Sequence, residues 1–257
     1  MKNSKITILF LTIIFLSASA SAQSTERISE TTARAGELNK QAVKKTEVGK
    51  FAEAIEVFRQ AIALRPDSAI IYDNLGVTLY RAGRLEEAVA ALKKAIQTNP
   101  DFAITYRRLS AVYVDLKKYD AAVEVLEESI KLEPNSAIAH YNLGCVYVLQ
   151  QKFKAAVAEL ERAARIEPNN AETYVQSGYA LSRLKKYDEA IKQMEKAVAL
   201  TPQDSEAQFF LGQLYLLNRD RQSALAQYRK IALLDSKLAD KFYAVIYSKI
   251  LITAIEK

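Results

Sequence analysis

Residues 134–168 read PNSAIAHYNLGCVYVLQQKFKAAVAELERAARIEP, and the same design recurs along most of the chain. Two prolines bracket two apolar stretches with the spacing of amphipathic helices, and a polar break around Gln151 divides them. The five prolines of the 257-residue sequence are Pro66, Pro100, Pro134, Pro168 and Pro202, each 34 residues after the last. Six alanines keep the same spacing: Ala54, Ala88, Ala122, Ala156, Ala190 and Ala224. Self-similarity at a fixed period marks a repeat array. Placing each proline at repeat position 32 gives uninterrupted units at 35–68, 69–102, 103–136, 137–170, 171–204 and 205–238.

Composition narrows the class further. Half the residues are hydrophobic and 26% are charged, with only 7 glycines and 5 prolines. That balance excludes disordered, collagen-like and loop-rich β chains. A single cysteine closes no intrachain disulfide. One cysteine and one histidine also leave zinc sites and histidine-based catalysis short of ligands and bases, so no metal or cofactor is expected. The net charge of +6 is spread thinly over the repeats. No unit carries the basic stripe that nucleic acid requires.

Several repeat positions have a readable task. Position 8 carries Ala42, Gly76, Ser110, Gly144, Gly178 and Gly212, and position 20 is always alanine. Small residues mark close helix approach, where a larger side chain would overpack at a cost of about 1–3 kcal/mol. Phe51, Leu85, Tyr119, Phe153 and Tyr187 are bulky fillers at position 17. Each proline biases the residue before it out of helical geometry and so ends the second helix. Asp101, Asn135, Asn169 and Asp204 then offer capping acceptors to the next helix. Gly49 and Gly83 stand at the inter-helix turn, while Lys117, Gln151, Lys185 and Arg219 stand there in the later repeats.

These residues resemble the tetratricopeptide repeat family. The first-helix signature appears as Tyr72-x2-Leu75-Gly76-x2-Leu79, His140-x2-Leu143-Gly144-x2-Tyr147 and Gln208-x2-Leu211-Gly212-x2-Tyr215. The second-helix signature appears as Ala54-x3-Phe58-x2-Ala61, Ala88-x3-Leu92-x2-Ala95 and Ala156-x3-Leu160-x2-Ala163. The resemblance implies an all-α fold: a right-handed superhelical solenoid of six helix-turn-helix repeats, whose inner wall comes mostly from the first helices. In the last unit Arg221, Ile231 and Ser236 depart from the pattern, as terminal repeats do. A capping helix over 239–257 is expected to close the array, with Tyr243, Ile246, Tyr247, Ile250, Leu251 and Ala254 as its buried face.

By that resemblance, repeat positions 2, 5, 6, 9, 12 and 13 face the inner wall. Asn74, Asn142 and Gln176 at position 6 form a partial amide ladder, able to donate to and accept from a peptide backbone. Arg107 and Arg108 make a basic middle suited to a carboxylate, and Tyr80, Tyr141, Tyr179 and Phe209 add aromatic anchors. The five-residue carboxylate clamp of the chaperone-cofactor subclass is rejected, because only Asn74 and Arg108 match it; Asn39, Val43 and Ile104 do not. His140 occupies the slot of Tyr72, Tyr106 and Tyr174 and reads as a packing residue. Cys145 reads as a small hydrophobe of the wall. Phe242, Val245 and Ile252 fall among polar residues of the closing helix and are candidates for a second interface, including association of two copies.

The ends are different in character. Lys2 and Lys5 precede the apolar run Ile6 to Leu16 and then Ala20-Ser21-Ala22, the layout of a secretory signal over 1–22. That run is too short to span a bilayer. Residues 23–34 read as a polar lead-in. The sequence therefore reads as an exported protein, periplasmic or secreted, with no membrane span and no lipid-bearing cysteine near the cut. Its expected role is non-catalytic: a scaffold that grips a protein or peptide partner in its groove, in an envelope assembly or secretion complex. The alternatives are a self-associating structural protein and an accessory subunit of an envelope enzyme. An enzyme in its own right is disfavoured, since no nucleophile-elbow, P-loop or metal motif is present and the ends are too short for a catalytic domain.

Overall fold

The computed structural model describes residues 27–255, with side chains to Tyr247. The secretory signal read over 1–22 lies outside the described residues. All regular structure among them is helical, in two compact units, Met1–Leu116 and Lys117–Lys257. The first unit holds α1 (27–47), α2 (Phe51–Leu64), α3 (Ala69–Arg81), α4 (Leu85–Thr98) and α5 (Ala103–Asp115). The second holds α6 (Tyr119–Leu132), α7 (Ala137–Leu149), α8 (Phe153–Ile166), α9 (Ala171–Arg183), α10 (Tyr187–Leu200), α11 (Ser205–Leu217), α12 (Arg221–Leu234) and α13 (Ser236–Ile255). Within each unit consecutive helices pack against one another, which makes each a helical repeat solenoid.

The pairing of helices rests on the small positions. Ala54, Ala88, Ala122, Ala156, Ala190 and Ala224 are all fully buried. A Cβ on Gly76 would lie 2.5 Å from Leu92 Cγ, and one on Gly144 would lie 2.7 Å from Leu160 Cγ. On Gly178 it would meet Met194 Cγ at 2.9 Å. The missing side chain is thus the space into which the second helix of the same repeat plugs. The last repeat does this differently. Its position equivalent to Leu160 is Tyr228, and the notch at Gly212 is filled by Phe242 of α13, whose Cζ would stand 2.4 Å from an added Cβ.

Repeats are also latched by polar bonds at fixed offsets. The position-4 side chain reaches back to the carbonyl of the proline six residues earlier. Tyr106 and Tyr174 hydroxyls donate to Pro100 and Pro168 oxygens at 2.9 and 3.0 Å. Gln208 Nε2 donates to Pro202 O at 3.0 Å, and His140 Nε2 lies 3.0 Å from Pro134 O. His140 is buried and its Nδ1 meets Glu159 Oε2 at 2.7 Å, so it holds its helix in place.

The turns explain why glycine is dispensable yet useful. All six turns between the two helices of a repeat place one residue in the left-handed region: Gly49, Gly83, Lys117, Gln151, Lys185 and Arg219, with φ between 57° and 77°. The last four carry a side chain there, at a steric cost glycine avoids. Helix starts follow the expected capping only in part. Asp204 accepts from the amides of Glu206 and Ala207 at 3.0 Å, but before it Asn170, not Asn169, caps α9. The cap positions of α5 and α7 are Phe102 and Ser136, neither of which makes a side-chain cap bond, so Asp101 and Asn135 do not occupy them. Helix α1 starts at 27, inside the stretch read as a polar lead-in, and its Thr31 hydroxyl bonds back to the Arg27 and Ile28 carbonyls. Helix α13 starts at Ser236, where Asp235 accepts from Leu238 N at 3.0 Å.

Replacing Gln151 or Lys185 by glycine should stabilise the fold by about 0.5–1 kcal/mol each, since the strain removed exceeds the added chain entropy. Urea denaturation checks this. The neighbouring Lys152→Gly, at an ordinary negative φ of −84°, should give no gain.

Candidate protein-interaction surface

The wall residues lie on the first helices α3, α5, α7, α9 and α11, as the sequence predicts. What they touch divides them sharply.

In the N-terminal unit the wall's polar groups bond one another. Asn74 Nδ2 donates to Asn39 Oδ1 at 3.1 Å. Arg108 Nη1 pairs with Asp73 Oδ2, and Thr105 Oγ1 donates to Asp73 Oδ1 at 2.9 Å. Asp73 is only 1% exposed. Both links join position 5 of one repeat to position 6 of the next, 35 residues on. Tyr80 donates to the Asp115 carboxylate, which together with burial raises the phenol above its usual range. Arg107 is half-buried on the same helix as Arg108. Asn74 and Arg108 are thus each engaged with the preceding repeat. A carboxylate withdrawn from water needs a cation, and Arg108 supplies one to the buried Asp73.

The C-terminal unit presents a different wall. Asn142 and Gln176 are half-buried, and their side-chain amides make no hydrogen bond among the described residues. Beside them Tyr141 donates to Glu172 Oε2 at 2.8 Å, and burial, first of all, raises its phenol well above its ordinary range. Cys145 sits next to Tyr141, and burial pushes its thiol up to about 11. Burial thus disfavours its thiolate form. Tyr179 stands between Phe153, in an edge contact at 6.4 Å, and Phe210 at 6.3 Å. Arg183 lies over both the Phe153 and Tyr179 rings, 4.9 and 5.8 Å from their centroids, and donates to the Tyr179 hydroxyl at 2.9 Å. Arg183 makes no ion pair among the described residues, so it offers an exposed cation in an aromatic setting. Ile138, Leu149 and Leu217, on the first helices of the same unit, are also exposed.

Sequence reasoning missed Arg183 and Phe153 as members of this cluster. The signal was available: Arg183 is at position 13, a wall position, four residues after Tyr179. Phe209, named as an anchor, is instead drawn into the terminal core, its ring 5.3 Å from that of Phe242.

The closing helix is turned relative to expectation. Phe242, offered as an interface residue, is fully buried with Ala239 and Ile246. Val245 is half-buried against the same cluster, and Ile252 has no described side chain. Tyr243 and Tyr247, expected inside, are 52% and 55% exposed and stack on each other at 6.2 Å. In this rotation the Phe242 ring fills the Gly212 notch. Among the described residues no cluster fit for a metal ion occurs, and no helix is long and apolar enough to cross a membrane.

Comparison with known proteins agrees with this architecture. Tetratricopeptide repeat models match residues 41–101 and 175–237, with further matches at 111–151 and 137–170. The chain belongs to the tetratricopeptide repeat family. No curated protein matches it. Among solved structures it is similar to YrrB, described as a tetratricopeptide protein with an unusual peptide-binding site. That match has 28% identity and a TM-score of 0.62, and covers 72% of this chain and 96% of YrrB. It is similar to MamA at 26% identity and a TM-score of 0.62, over 67% of this chain and 94% of MamA. Pseudomonas aeruginosa PilF shares the fold at 18% identity and a TM-score of 0.69, over 84% of this chain and 98% of PilF.

Arg108→Ala should destabilise the protein by about 3 kcal/mol, because it leaves Asp73 buried without its cation. The double change Asp73→Asn with Arg108→Gln should recover most of that loss. Chemical denaturation of the three variants measures both effects.

Proposed function

We propose that this protein is a non-catalytic adaptor that holds an extended peptide or a partner's helix on the first-helix wall of its C-terminal unit. The observation that carries the reading is the contrast between the walls. The N-terminal unit's polar wall groups are paired internally, whereas Asn142 and Gln176 keep both amide donors and acceptors available. They stand among Tyr141, Tyr179, Phe210 and Arg183, residue types that anchor interfaces. The amides suit a peptide main chain, and the aromatic cluster suits the side chains beside it. The peptide-binding site named for YrrB is consistent with this use of the fold. The layout of residues 1–22 adds that the adaptor works after export, in a bacterial envelope or outside the cell.

Association of copies through α13 is the second reading. The exposed, stacked Tyr243 and Tyr247, with Tyr228 at 5.9 Å from Tyr243, favour it.

Peptides selected from a displayed random library against the purified chain provide the test. Asn142→Ala with Gln176→Ala should weaken their binding about tenfold, the equivalent of two backbone hydrogen bonds, and leave thermal stability unchanged. Binding that survives both changes would refute this site. For export, N-terminal sequencing of the protein recovered from the cell envelope should begin at Gln23.

A further inference from the structure

Repeat position 13 is the last residue of every first helix, and it is exposed in all six repeats. In the N-terminal unit the row reads Glu47, Arg81, Asp115; in the C-terminal unit it reads Leu149, Arg183, Leu217. Each row has an arginine at its middle, lying over the ring that opens the preceding second helix. Arg81 is 5.7 Å from the Phe51 centroid, and Arg183 is 4.9 Å from that of Phe153. Their neighbours in the row differ. Arg81 has an acid one repeat to either side, and Asp115 also accepts from Tyr80. Arg183 has an exposed leucine on either side, so its charge is unbalanced and its setting apolar.

The other charges at that end of the C-terminal unit do not offset it. Asp188 and Glu189, in the first turn of α10, are engaged by Asn218 at 2.8 Å and Lys186 at 3.0 Å. Lys152 and Lys185, in the turns after α7 and α9, are exposed and add charge of the same sign. Stacking on Phe153 and Tyr179 occupies the faces of the Arg183 guanidinium and leaves its N–H edge for hydrogen bonds. One donor on that edge reaches the Tyr179 hydroxyl, and no carboxylate among the described residues pairs with the group. The stack also orders the side chain in advance, which lowers the entropy lost on binding. A fixed guanidinium edge is complementary to a carboxylate, which can accept two parallel bonds from it.

We propose that the peptide held by the C-terminal wall carries an internal glutamate or aspartate, whose carboxylate pairs with Arg183, and apolar residues on both sides that lie on Leu149 and Leu217. This rests on the peptide-wall reading above and names its ligand. Helices α7 and α9 touch directly. Packed helices lie about 8–10 Å apart, a distance that extended chain covers in about three residues. The apolar residues therefore stand about three positions before and after the acid. A leucine on each side of Arg183 calls for chain in both directions, which makes the acid an internal residue rather than a C-terminal carboxylate.

The test uses binders selected from a random library displayed within a loop, where no free carboxylate is present, then synthesised with blocked ends. They should be enriched in glutamate or aspartate between apolar residues. Replacing that acid by its amide, or Arg183→Gln in the protein, should each weaken binding about three- to tenfold. Arg183→Glu should reverse the preference, so that the lysine form of a peptide binds better than the glutamate form. Arg81→Gln should change nothing, and all three variants alter exposed residues, so melting temperatures should hold. Binders that need Asn142 and Gln176 but carry no acid, or bind Arg183→Gln undiminished, overturn this inference and leave the peptide wall standing. Binders indifferent to the two amides, or a library that yields none, overturn the wall and this inference with it.

Discussion

A first helix that lacks a side chain at one point, met there by a large side chain from its neighbour, sets how closely the helices of a pair approach. Leu92 over Gly76, Leu160 over Gly144 and Met194 over Gly178 are the same contact in successive settings. Alongside it, position-4 side chains reach the proline carbonyls, and wall side chains reach the next repeat. The last repeat keeps the notch but takes its plug from α13, so the closing helix is locked into the array rather than laid upon it.

The two units spend similar wall positions on different tasks. In the first, Asp73 is buried, and satisfying it uses Arg108 and Thr105. A wall built this way is rigid and self-contained, because breaking one partner exposes the other's desolvation cost. In the second, the tyrosine hydroxyls are held by Glu172 and Arg183 while the amides of Asn142 and Gln176 stay unengaged among the described residues. Oriented rings beside available amides are the arrangement a binding surface needs, since little further ordering is lost on association.

Much of this was legible in the sequence because six copies speak for each repeat position. Small residues at positions 8 and 20 could be read from the column, and their burial follows. Contacts that occur once could not. The Asp73–Arg108 pair joins different columns of neighbouring repeats, and no periodicity announces it. Helix α13 carries apolar residues on most of its circumference, so the broadest apolar face of a helical wheel is not the one that packs, and the Phe242 ring instead sits in the notch at Gly212. The left-handed turn residues were visible as glycines in two repeats only. Their persistence at Lys117, Gln151, Lys185 and Arg219 shows that tertiary closure overrides local preference.

A double-mutant cycle on Gly144 and Leu160 tests the governing contact most directly. Gly144→Ala alone should cost about 1–3 kcal/mol, since its methyl would intrude on Leu160. In a Leu160→Ala background the same change should cost nothing, or stabilise slightly through the better helix propensity of alanine. Equal effects of Gly144→Ala in both backgrounds would show that the helices are spaced by something other than this plug and notch, and would contradict the account.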